Sequence, residues 1–310
     1  MATRKGQTLA LPAASRKPDP VPRYFLAGDW AQRLDRVVAS GASSEGRDFA
    51  NANASRVKQH LSLEKSLRVV FNLGGYALLN YLRSGDYQNI YEEPVIGGLR
   101  RTPSQTRIDA DALVDLQPAR NYYFCALASG GSGIRFYGEY CVVIRPDAAK
   151  EAVEKILDRN SYDLLVEPLK GYLATLRARR RSPNLVDGLM SRLVDGTAQD
   201  MLTTKVLQYT PNQPRLLTAG TVANAVLSDE DYCEAYYRGK IGLDVVEEVR
   251  EHPADVSKES EILQRLQGGE SVRCDELVWA TRRRLIRRKL ALRGVPRSVP
   301  AESGRSGRWS

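Results

Sequence analysis

Histidine is almost missing from this 310-residue chain, which has two, His60 and His252. Its four cysteines, Cys125, Cys141, Cys233 and Cys274, are widely spaced, with no CxxC pair. This scarcity argues against a zinc site built from His and Cys, and no metal ion is expected. With no secretory signal to place the chain in an oxidising compartment, the thiols are expected to be reduced and mostly buried. Long apolar runs are missing as well. The patch Leu9-Ala10-Leu11 stops at Pro12, far short of the roughly 18 apolar residues of a membrane span. The expectation is a cytoplasmic protein with no membrane span, although the basic, polar start of the chain also suits an export segment.

Hydrophobic residues make up 42% and charged residues 27%, a globular composition that allows a sizeable core. The net charge of +9 is unevenly distributed. From Leu277 to Ser310 there are ten basic residues against the single acid Glu302, so residues 1–276 balance at 36 of each sign. The basicity is a C-terminal feature, and polyanion contact through bulk charge should map there.

Residues 1–55, rich in Ser, Ala, Pro, Gly and Asn, read as a flexible N-terminal arm. Region 56–145 is expected to be mixed α/β. Leu67-Arg68-Val69-Val70-Phe71 reads as a buried strand, and 76–85 as a short amphipathic helix with Gly85 as C-cap. Runs 121–127 and 139–144 read as strands around the loop Ser129-Gly130-Gly131-Ser132-Gly133. Region 146–276 is expected to be helical, with patterns at 147–158, 163–180, 185–205, 220–238, 243–251 and 255–267. A last helical pattern runs over 275–293, and a basic C-terminal helix and tail, 277–310, completes the chain. The fold class is α+β: a strand-containing centre over about 65–145, then a predominantly helical half.

Several constellations carry chemistry. The glycine-rich loop exposes backbone N–H groups that suit an anion, yet its downstream element reads as a strand, so neither nucleotide fingerprint is met. Arg135, Phe136, Tyr137 and Tyr140 place a cation and aromatic rings beside that loop, suited to stacking on a base or nicotinamide. Glu247, Glu248, Glu251, Asp255, Glu259 and Glu261 surround His252, a set that could hold Mg²⁺ in a hydrolase or supply a general base. The stretch Trp279–Leu292 is an amphipathic basic helix. Trp279, Leu285, Ile286, Leu290 and Leu292 form its apolar stripe, and Arg282, Arg283, Arg284, Arg287, Arg288 and Lys289 are its candidate nucleic-acid-binding residues.

Arg68 on LRVVF, Ser129 or Ser132 after YYFCAL, and Glu259-Ser260-Glu261 together resemble the mono-ADP-ribosyltransferase family, whose members carry an Arg or His on an early strand, a Ser-containing strand and a late Glu-x-Glu. The resemblance implies an enzyme that takes NAD as substrate and transfers ADP-ribose to a macromolecular acceptor, as a bacterial toxin, effector or phage-conflict protein does. It assigns Arg68, Ser129, Ser132 and Tyr137 to NAD binding, and Glu261 with Glu259 to stabilising an oxocarbenium-like transition state. Val256, Ile262, Leu263 and Leu266 also fall at near-helical spacing, and a helix would turn Glu259 and Glu261 about 200° apart. The competing reading is a non-enzymatic nucleic-acid-binding or interaction protein acting through the basic helix.

Overall fold

A computed structural model of the chain describes residues 30–39, 44–91, 95–96, 99–100, 103–114, 116, 118–165, 190–191, 193, 196–210, 216–227 and 232–300. Helices α1 (Trp30–Ala39) and α2 (Ser44–His60) lead into strand β1 (Leu67–Leu73), helix α3 (Gly75–Ser84) and the two-residue strands β2 (Asp86–Tyr87), β3 (Val95–Ile96) and β4 (Leu99–Arg100). There follow α4 (Gln105–Leu113), β5 (Tyr122–Ser129), β6 (Tyr140–Ile144), α5 (Pro146–Ala152), β7 (Val153–Leu157) and β8 (Met190–Ser191). The chain continues through α6 (Thr197–Tyr209), α7 (Ala219–Val226), β9 (Glu234–Arg238), β10 (Ile241–Gly242), β11 (Val246–Glu251), α8 (Pro253–Gln267), α9 (Cys274–Leu292) and β12 (Arg297–Ser298).

The fold is α+β. Eight strands form one sheet in the order β12-β11-β6-β1-β5-β9-β7-β8, antiparallel at every pairing except β11–β12. The strands before residue 145, β6, β1 and β5, sit together at its centre and later strands flank them on both sides, so 56–145 and 146–276 share one sheet. The second half therefore holds more strand than its helical patterns suggest. Residues 153–157, 234–238 and 246–251, which read as helix, are strands β7, β9 and β11.

The reason is visible in β7 and β11. A register shift lies between Val153 and Lys155 in one and between Val246 and Glu248 in the other. The extra residue turns the two-residue repeat of a strand into a three-residue spacing of buried side chains, Val153 to Ile156 and Val246 to Val249, which imitates a helix.

Part of the expected arm is structured too. Leu34 on α1 and Ala54 and Val57 on α2 join the main core, and both helices pack against α6. Few apolar residues suffice because the stability of such helices comes from docking rather than propensity. The basic helix is likewise part of the body. Ile286 and Leu290 of α9 lie in the same core as β1 and β5, whereas Leu285 and Leu292 point to solvent, which narrows the apolar stripe expected there. Helix α3 ends as expected, with Gly85 at φ 88° donating its N–H to the Tyr81 carbonyl.

β5 and β6 both flank β1, so residues 130–139 must cross over it. Asn72 pins the crossing: its Nδ2 donates to the carbonyls of Ser132 and Gly138, and its Oδ1 accepts from the N–H of Ile134 at 2.8 Å. A Cβ at Gly138 would lie 2.1 Å from the Leu73 backbone, and one at Gly133 (φ 75°) 2.0 Å from Asn72 Oδ1. The glycine-rich loop is a tightly packed crossover.

Candidate active site

Two of the acidic residues at 247–261, Glu251 and Glu259, are partners of the α9 arginines Arg283 and Arg287. Arg283, fully buried, donates Nε to Glu259 Oε2 at 2.9 Å and Nη2 to Glu251. Arg287 binds both of these carboxylates and Arg297 binds Glu251 at 2.8 Å, while Glu139 meets Arg282 and Arg283 at 3.6 and 3.8 Å. Burial works to raise the Glu251 pKa, but the surrounding guanidinium groups outweigh it and hold the carboxyl below its ordinary value. Glu247 pairs with Arg68, Glu248 with Arg250 and Asp255 with Arg135. His252 Nδ1 accepts from the Ala254 N–H and so caps α8. Among the described residues no group of three or more His, Cys, Asp or Glu is arranged to hold a metal ion.

The four-part site expected around Glu261 does not assemble. Glu259 and Glu261 lie on helix α8 rather than a strand, Glu259 buried against Arg283 and Arg287 and Glu261 exposed to solvent. Arg68 is committed to Glu247 at 2.6 Å and to the carbonyls of Leu63, Lys65 and Leu67, which tie down the turn before β1. Ser129 Oγ donates to Ser66 Oγ at 3.0 Å and lies 3.2 Å from His60 Nε2. Register sets Ser129 opposite Leu67 and Arg68 opposite Ala128, so Ser129 and Arg68 project from opposite faces of the sheet. The side chain of Ser132 is buried, and its carbonyl is held by Asn72. Of the six arginines and lysines assigned to nucleic acid, Arg282, Arg283 and Arg287 turn inward to carboxylates, leaving Arg284, Arg288 and Lys289 exposed.

A different carboxylate, Glu234, is borne on a strand and buried. Glu234 opens β9, which pairs with β5, which in turn pairs with β1. Glu234 faces Ala126 and Arg68 faces Ala128, so both project from one face of the sheet, about 12 Å apart across two strand spacings and two residues along the strand. Over this face lie α4 and the turn Ser161–Leu165, whose Val114 and Leu164 pack with Tyr122, Leu157 and Tyr236 in a second, smaller core.

Glu234 is 3% exposed. Its Oε2 accepts from Tyr236 Oη at 2.7 Å and from the Ser161 N–H at 3.2 Å, and its Oε1 lies 3.6 Å from Arg107 Nη1. The Arg107 guanidinium stacks on the Phe124 ring at 3.6 Å and also binds Asp111, which accepts from Tyr91. Burial disfavours the Arg107 charge, but Glu234 and Asp111 outweigh it and raise the pKa. Tyr232, two residues before Glu234, shares a 2.9 Å hydroxyl contact with Tyr137, which is 45% exposed and marks the solvent side of the cluster. Burial, reinforced by the Glu234 charge, raises the pKa of Tyr232 and Tyr236, and raises that of Tyr137 against the lowering effect of its bond to Tyr232. The hydroxyls therefore stay protonated and able to donate.

Two atoms here lack partners in the fold. Arg107 Nε and Ser161 Oγ are buried without a hydrogen bond, a costly state that a polar ligand could relieve. Together the groups provide a buried carboxylate, an aromatic ring on the solvent side and unspent hydrogen-bonding capacity. Tyr137 is the residue expected from sequence that falls in this cluster, and Glu234 is the one missed. The signal was a lone acid in the aromatic run Tyr232-Cys233-Glu234-Ala235-Tyr236-Tyr237, where a charge must be buried for a reason.

No known protein family, curated protein or solved structure matches the chain.

Proposed function

We propose that the protein is an ADP-ribosyltransferase-like enzyme that cleaves NAD and passes ADP-ribose to a macromolecular acceptor, with Glu234 as its reacting carboxylate. One observation carries this reading: a carboxylate buried in the sheet lies beside Arg107, an arginine with an unused donor, and two residues from Tyr232, whose hydroxyl meets that of the half-exposed Tyr137.

In the reaction the bond between ribose C1′ and the nicotinamide nitrogen breaks, and its electron pair leaves with nicotinamide. Positive charge then develops over C1′ and the ring oxygen. Glu234, shielded from water, stabilises that charge, and an acceptor nucleophile attacks C1′ and gives up its proton. The Tyr137 ring supplies a stacking surface for nicotinamide, and Arg107 with Ser161 supplies donors for substrate oxygens. Arg68, engaged with Glu247, takes no part.

The test is nicotinamide release from NAD by wild type, Glu234→Gln and Glu261→Gln at equal folded concentration. Release is expected to fall by about a hundredfold or more in Glu234→Gln, the scale of losing one preorganised electrostatic group, and to stay unchanged in Glu261→Gln. Tyr137→Ala, at a half-exposed position that leaves folding intact, should raise KM for NAD more than it lowers kcat. Full release by folded Glu234→Gln refutes the assignment.

A further inference from the structure

The solvent side of α9 carries an apolar ridge that the fold leaves bare. Val278, Leu285 and Leu292 recur every seven residues and are 54%, 44% and 70% exposed. Seven residues are 20° short of two full helical turns, so the three side chains line up along about 21 Å of helix. Exposed Arg284 and Arg288 flank the ridge on one side and Lys289 on the other; among the described residues none of them makes an ion pair, in contrast with Arg282, Arg283 and Arg287. From Leu277 to Pro300 there is no acid. The nearest acids, at the helix start, are already engaged: Asp275 by Arg273 at 3.1 Å and Glu276 by Arg265 at 3.3 Å.

We infer that this face of α9 is a docking surface for an acidic amphipathic helix of a partner protein. The seven-residue spacing suits an apolar stripe on a second helix, and the flanking cations select glutamates beside that stripe. Charge complementarity decides among the occupants. A second copy would set Arg284, Arg288 and Lys289 against their own kind, which is unfavourable. The three longer segments outside the described residues are themselves basic: 1–29 has five basic residues against two acids, 166–189 five against two, and 301–310 two against one. Nucleic acid would satisfy the cations but leave three exposed aliphatic side chains without a role, because phosphate contacts need none.

The probe is a peptide of about three heptads with leucine at the seam and glutamate at the flanks, measured by fluorescence anisotropy against the full chain beside a scrambled peptide of identical composition. Wild type is expected to bind the patterned peptide and not the scrambled one. Arg284→Glu/Arg288→Glu and Leu285→Gln/Leu292→Gln should each weaken binding by about tenfold or more, with melting temperatures unchanged because all four positions are exposed. Failure of the patterned peptide to bind overturns the proposal. So does binding of a single-stranded oligonucleotide that ignores the leucine substitutions while the peptide stays free, which would make the face a nucleic-acid contact. Self-association in sedimentation that Leu285→Gln abolishes also overturns it, in favour of a second copy.

Discussion

Arg283→Ala is expected to be among the most damaging single changes in the protein, although sequence places Arg283 in a basic surface run. The side chain is fully buried, bonded to Glu251 and Glu259 and lying 4.9 Å from the Trp279 ring. Truncation leaves Glu251 with Arg287 and Arg297, and Glu259 with Arg287 alone. Breaking a buried pair from one side costs about 3–5 kcal/mol. The remaining arginines hold the loss toward the lower end, and the cavity left beside Tyr140 and Trp279 adds to it. For a chain of 310 residues, at about 1.5 °C per kcal/mol, that corresponds to a fall of about 5–8 °C in Tm. Arg284→Ala, one residue on but exposed, should change stability by no more than about 0.5 kcal/mol. Urea unfolding of the two variants beside wild type measures both numbers. An Arg283→Ala protein within about 1 kcal/mol of wild type would refute the buried network and return α9 to a solvated basic helix.

The same network predicts a pH effect. Its guanidinium partners hold the Glu251 carboxyl below its ordinary value, so its contribution is complete above the unfolded-state value near about 4.3 and fades as pH falls through the lower folded-state value. The stability gap between wild type and Glu251→Gln should therefore be constant at neutral pH and close in acid; a gap independent of pH contradicts the pairing. Asn72→Ala frees the carbonyls of Ser132 and Gly138 and the N–H of Ile134, which should cost about 3 kcal/mol and speed proteolysis of the 130–139 crossover. Resistance equal to wild type would show that the loop does not depend on Asn72.

Where chain-local signals are strong, sequence and structure agree. Helix α8 begins at Pro253 and ends before Gly268-Gly269, and α9 spans nearly the expected residues, because caps and breakers act within a few positions. β1, β5 and β6 are also legible, as apolar runs bounded by turn residues. β7 and β11 are not, since their register shifts give buried side chains a helical spacing that only the neighbouring strand explains. The site is harder to read for the same reason. Arg283 meets Glu251 from 32 residues away and Glu259 from 24, so a paired core arginine and a solvated one look alike in the chain. Glu234 stands out only once the run around it is known to be a buried strand, and the helical reading of 220–238 concealed it.

The most direct test of Glu234 as the reacting carboxylate is a crystal structure of the protein with a non-cleavable NAD analogue. The account predicts the nicotinamide ribose within hydrogen-bonding reach of Glu234, the pyridine ring against Tyr137, and Arg107 Nε or Ser161 Oγ bonded to the ligand. A ribose seated at Glu261, or at any position where Glu234 keeps its present partners and touches nothing new, would contradict it.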